Sequence, residues 1–183
     1  MSHDSWRELF SEVERVYVET AKVLREADGL LDHAGFERPD GENSIERQVS
    51  ASPSNPAWWF PGWVGRFYVP RAESATPQLL YVAVYLYNRA GDDVHKLDEA
   101  VIAGGIWRFR KAPPKTYPSW LAKGWAWRPK GESYGVVGER EVNGHGCDAK
   151  GRCIGVALST VTSPESLKTH VVTPLVKLAN EKW

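Results

Sequence analysis

Leu79-Leu80-Tyr81-Val82-Ala83-Val84-Tyr85-Leu86-Tyr87 is the stretch on which the reading of the fold turns. It is an almost unbroken apolar and aromatic run, bounded by Pro77 before it and by Asn88-Arg89-Ala90-Gly91-Asp92-Asp93 after it. A run of this length without polar alternation is the signature of a central strand covered on both faces. Working outward, Val101 to Phe109 predicts the next strand, with Gly104-Gly105 marking a bulge or a close backbone approach. Gly65 to Val69 predicts the preceding strand, stopped by Pro70. Ile45, Arg47 and Val49 alternate with polar neighbours as in a half-buried strand. Tyr134 to Val142 and Arg152 to Thr160 predict a final hairpin, with Gly144, Gly146 and Gly151 supplying its turn chemistry.

Helical patterns stand at the two ends. Trp6, Leu9, Phe10, Val13, Val16, Tyr17, Thr20, Val23, Leu24, Ala27, Leu30 and Leu31 recur at three- and four-residue steps, one stripe of a helix over residues 5–31. Ser5 with Glu8 has capping-box spacing, and Asp28-Gly29 and Gly35 are stop signals. Thr162 with Glu165 has the same spacing, Pro164 suits a first helical turn, and Leu167, Val171, Leu175 and Leu178 share a face. Pro174 is expected to kink or split that helix near Val172. No helix separates most of the strands, so a parallel βαβ arrangement is disfavoured. The expected fold is α+β: one domain over 1–183, with a mostly antiparallel sheet of about six strands and the N- and C-terminal helices on one face.

A chain of 183 residues can bury a core of ordinary size without a disulfide or a metal. Its 23 basic and 23 acidic residues give a formal net charge of +0, so no whole-molecule attraction to nucleic acid or membrane is indicated. No stretch approaches the roughly 18 apolar residues of a membrane span, and the polar start Met1 to Glu8 lacks an apolar signal core. A cytoplasmic location is expected, with Cys147 and Cys153 reduced.

The most informative chemistry lies between Arg108 and Gly131. Arg108, Arg110, Lys111, Lys115, Lys123, Arg128 and Lys130 occur there without one Asp or Glu, interleaved with Phe109, Tyr117, Trp120, Trp125 and Trp127. Cations beside flat rings are what a polyanion, a stacked base or a phosphorylated small ligand requires. A solvated basic loop whose tryptophans plug the core edge, its cations paired with acids elsewhere in the chain, competes with that reading. A second aromatic group, Trp58, Trp59, Phe60 and Trp63, is stiffened by Pro56 and Pro61 and followed by Arg66. It forms either a wall beside a cleft or a plug over the end of the sheet.

Other groupings are weaker. His145, Cys147 and Cys153 match no standard zinc spacing, although the two thiols flank a turn across which a bridge is conceivable. Gly131-Glu132-Ser133-Tyr134-Gly135 fits a nucleophile-elbow string, followed by Asp148 and His170, but lacks the strand before and the helix after. Asp92, Asp93 and His95 read as solvated loop residues. Glu46, Arg47, Glu139, Arg140 and Glu141 are candidates for a polar floor on the sheet.

These features favour a non-catalytic binding or interaction module with an aromatic, partly basic surface. Its expected binding residues are Trp58, Trp59, Trp63, Arg66, Arg108, Arg110, Lys123, Trp125, Trp127 and Arg128. The expected partner is a protein, preferred because the chain has no polyanion-wide charge excess, or an anionic ligand such as nucleic acid or a nucleotide, with no cofactor and no resident metal. The alternative is a small enzyme with a pocket between the sheet and the tryptophan loops, using Arg47, Arg66, Arg108, Glu139 and His145 as polar groups.

Overall fold

The computed structural model describes residues 3–39, 46–47, 61–72, 76–86, 99–111, 138–144 and 147–182. Helix α1 (His3–His33) is followed by β1 (Phe36–Glu37), β2 (Glu46–Arg47), β3 (Trp63–Pro70), β4 (Gln78–Tyr85), β5 (Val101–Phe109), β6 (Gly138–Gly144) and β7 (Cys147–Ala157). The chain closes with α2 (Pro164–Leu167), a π-helical turn (Lys168–Val172) and α3 (Thr173–Asn180). Every strand pairing is antiparallel. The order across the sheet is β1-β3-β4-β5-β7-β6. The short β2 shares the outer edge of β3 with β1: β1 pairs with Val69 and Pro70, β2 with Val64 and Gly65. The class, the antiparallel sheet and the placement of the terminal helices are as the sequence predicts.

The apolar run from Leu79 to Tyr85 lies in β4, at the middle of the sheet and buried on both faces. Alternate residues Leu80, Val82 and Val84 join Val64, Tyr68, Ile102, Ile106 and Ile154 under the helices. Leu24, Ala27 and Leu31 of α1, together with Leu167, Val171, Leu175 and Leu178 of the C-terminal helices, cover them. The intervening residues Leu79, Tyr81, Ala83 and Tyr85 join Trp63, Phe67, Val101, Trp107 and Phe109 in a second, aromatic core on the other face. A strand with both side-chain sets in cores cannot show a polar alternation, which is why its sequence is continuous.

Glycines let the large rings lie flat on that second face. A Cβ on Gly105 would fall 2.2 Å from Tyr81, its cross-strand neighbour, and a Cβ on Gly151 would fall 2.5 Å from Trp107. Gly104-Gly105 is therefore a close approach and not a bulge, since the β4–β5 and β5–β7 registers run unbroken through it. Gly151 lies mid-strand under an indole instead of in the hairpin turn. The paired ends Gly144 and Cys147 leave only two residues between the strands.

Helix ends also depart in detail from expectation. Helix α1 continues through Asp28-Gly29 to His33 because Ala27, Leu30 and Leu31 pack on either side of the glycine. It ends at Gly35, whose φ of 90° is the left-handed geometry that terminates helices. The second helical segment is capped one residue later than Thr162. The Ser163 hydroxyl accepts from the Ser166 amide at 3.2 Å, and the Ser166 hydroxyl accepts from the Ser163 amide at 2.9 Å. Pro174 does not split the chain. The missing amide is absorbed by the π-helical turn immediately before it, with the Thr173 amide reaching back to Lys168 O.

Candidate functional site

The sheet places the candidate residues in very different surroundings. Arg66 projects from β3 beneath α1, where it is buried and paired with Asp28. Tyr68, two residues along on the same face, donates its hydroxyl to the other carboxylate oxygen at 2.9 Å. Burial, then the adjacent Asp28 carboxylate, raises the Tyr68 phenol well above its ordinary range. Asp28, Arg66 and Tyr68 thus form a polar unit that pins α1 to the sheet. Trp63 points to the opposite face, only 5% exposed, with its ring 6.2 Å from that of its cross-strand partner Tyr85. Arg66 and Trp63 therefore do not share a surface.

Arg108 and Arg110 do come together, at the other end of the sheet. A row of cross-strand neighbours runs Gln78, Arg108, Lys150 and Glu141 over four adjacent strands. Arg108 reaches the end of α3, where its Nη2 donates to the carbonyls of Leu178 at 3.3 Å, Ala179 at 2.9 Å and Glu181 at 2.5 Å. It neutralises the carbonyls that a helix C-terminus leaves without intrahelical donors. Burial and the nearby Arg152 lower the Arg108 pKa, and Glu181 opposes them. Arg110 is held by Glu141 at 2.5 Å and Asp148 at 3.2 Å, both of which raise its pKa. Arg152 pairs with Glu181 at 3.5 Å.

Between this row and the chain after α3 lies a cleft of about 710 Å³. Arg108, Arg110, Lys150 and Lys182 line it, with Glu181 as the one carboxylate among its lining residues. Phe109, Pro77 and Ala179 supply apolar wall. Lys150 and Lys182 were not singled out by the sequence reading. A signal for Lys150 existed: Asp148, Lys150 and Arg152 alternate with Ala149, Gly151 and Cys153, a period-two polar face. Lys182 carries no such mark, because only the return of the chain along the sheet brings it beside β5.

Two further groupings are separated by the topology. Cys147 and Cys153 both lie on β7, six residues apart, or about 20 Å along a strand. They cannot face each other across the hairpin or ligate one zinc ion. Among the described residues, no group of three His, Cys, Asp or Glu side chains is placed to hold a metal. Glu46 and Arg47 sit at one edge of the sheet, whereas residues 139–141 lie on β6 at the opposite edge, about 24 Å away at the usual strand spacing. They do not make a common floor.

Trp58, Trp59, Lys123, Trp125, Trp127 and Arg128 lie outside the described residues, as do Asp92, Asp93, His95, His145 and the segment Gly131 to Gly135. So does the alternative pocket between the sheet and the tryptophan loops, which depends on them. No described helix is long and apolar enough to cross a membrane. Comparison of the chain with protein-family models, with curated proteins and with solved structures gives no match.

Proposed function

We propose that this chain is a non-catalytic binding module that takes an anionic ligand in the cleft between the end of α3 and strands β5 and β7. The observation that supports this reading is the convergence of Arg108, Arg110, Lys150 and Lys182 on one cleft in a chain with no net charge. Arg108 is fixed in place by helix carbonyls and so presents positioned charge, whereas the charge of Arg110 is offset by Glu141 and Asp148. Lys150 and Lys182 add two ammonium charges to the lining. In sequence, Arg108 to Arg110 is also where the acid-free basic and aromatic segment begins. A ligand that combines phosphate with a flat base suits the cations of the cleft together with the aromatic residues that follow Arg110 in the sequence, since cations neutralise phosphates and rings stack on bases. A nucleotide or a short single strand of nucleic acid is the proposed ligand class, and the cytoplasm the proposed location.

The test is salt-dependent binding of a single-stranded oligonucleotide. Four cations set a ceiling: log affinity is expected to fall with log salt at a slope of about −3 or shallower. Lys150→Glu combined with Lys182→Glu is expected to weaken binding at least tenfold at low salt and roughly to halve the slope. Binding that is absent at low salt, or indifferent to the double variant, would remove this reading.

A further inference from the structure

Helix α1 has 31 residues, about 46 Å of helix, yet only its second half is sealed against the sheet. The side chains buried along it are Thr20, Leu24, Ala27 and Leu31. The same stripe continues toward the N-terminus and is left open: Trp6 is 48% exposed, Leu9 47%, Phe10 54% and Val16 45%. Trp6 and Phe10 stack on each other with ring centroids 6.2 Å apart. Where the stripe meets the body of the molecule, the Tyr17 hydroxyl donates to Pro61 O at 3.0 Å. Large apolar side chains contiguous over three helical turns mark an interaction surface.

The spacing of this stripe is that of a two-helix seam. Trp6, Phe10, Val13, Tyr17, Thr20, Leu24, Ala27 and Leu31 follow one another at steps of four and three, a sustained heptad pattern. In the second half of the helix the sheet and the C-terminal helix fill this seam, and in the first half nothing described does. Leu9 and Val16 widen it on one side. On the other side stand Arg7 and Glu14, one heptad apart. On outer rows Arg15 pairs with Glu12 and Lys22 with Glu19 within the helix.

We propose that this projecting half of α1 is the surface through which two copies of the chain associate, antiparallel, about a two-fold axis near Ser11 and Glu12. In that arrangement Trp6 layers against Tyr17 of the second copy and Phe10 against Val13, and each contact is repeated by symmetry. Arg7 of each copy then stands opposite Glu14 of the other, giving two complementary charge pairs. A parallel pairing would instead set Glu14 against Leu9. The antiparallel arrangement also carries the two sheets to opposite ends of the contact. A net charge of zero adds no long-range repulsion between copies. The contact is short, so a reversible, concentration-dependent dimer is expected.

Sedimentation equilibrium of the full chain over about 1 μM to 1 mM is the experiment, a range that spans weak reversible affinities. Wild type is expected to show a monomer–dimer equilibrium. Phe10→Glu, at an exposed position and so without loss of fold by circular dichroism, is expected to weaken it at least tenfold. Arg7→Glu is expected to weaken it, and Arg7→Glu with Glu14→Arg to restore it, because the antiparallel register re-creates both charge pairs. A chain that stays monomeric throughout, a Phe10→Glu variant that dimerises like wild type, or a charge swap that fails to recover the single-variant loss would each overturn the proposal. The cleft variants Lys150→Glu and Lys182→Glu should dimerise normally, which separates this test from that of ligand binding.

Discussion

At the scale of single residues, Asp28 has the largest structural role that the sequence hides. It sits beside a glycine in a helical pattern and reads as a stop signal. In the fold it is the counter-ion of a buried arginine and the acceptor of a buried phenol. Removing one member of such a unit strands the other, which costs more than the pair contributes. Asp28→Ala is expected to lower unfolding stability by about 3–5 kcal/mol, measured by urea denaturation. Asp28→Ala with Arg66→Met should recover part of that loss, because no charge is then left in the core. The raised Tyr68 pKa has a pH consequence. Below about pH 10 the phenol is protonated in both folded and unfolded states, and stability is unaffected. Above it the unfolded chain releases a proton that the folded chain retains, so stability falls as pH rises. Tyr68→Phe should make that alkaline decline shallower, as a pH series of denaturation midpoints would show.

At the scale of elements, the helix ends separate what local chemistry decides from what packing decides. The second helical segment starts where a reciprocal serine pair satisfies amides that no helical carbonyl can reach. Ser163→Ala is expected to cost about 1 kcal/mol of unfolding free energy, while Thr162→Ala costs a few tenths or less. The ordering of those two losses in parallel denaturation curves checks the position of the cap. The sequence placed the cap one residue early because Thr162 and Glu165 match the familiar spacing, whereas Ser163 and Ser166 serve each other with hydroxyls alone. Strand β4 was legible from Leu79 to Tyr85, since a segment buried on both faces must be apolar, while its half-buried first residue Gln78 was left out and the expected run continued past its end at Tyr85. Strands β1 and β2 contribute two residues each, too few for any periodicity to register.

At the scale of the whole molecule, α1 divides into a half that belongs to the sheet and a half that projects. Deleting residues 1–16 is expected to leave the sheet and its cores folded, with a loss of less than about 1 kcal/mol in urea denaturation, because the buried side chains of α1 begin at Thr20. By itself the sequence determined the fold class, the antiparallel pairing and the two helices, because hydrophobic periodicity and the absence of intervening helices act over neighbouring residues and need no knowledge of distance. Tertiary structure alone decided that β7 crosses back to lie beside β5, that Cys147 and Cys153 stand apart on one strand, and that Lys150 and Lys182 join Arg108 at a cleft. Each of those depends on which distant segments come to rest against one another, and that outcome is set by how two cores fill on either face of one sheet.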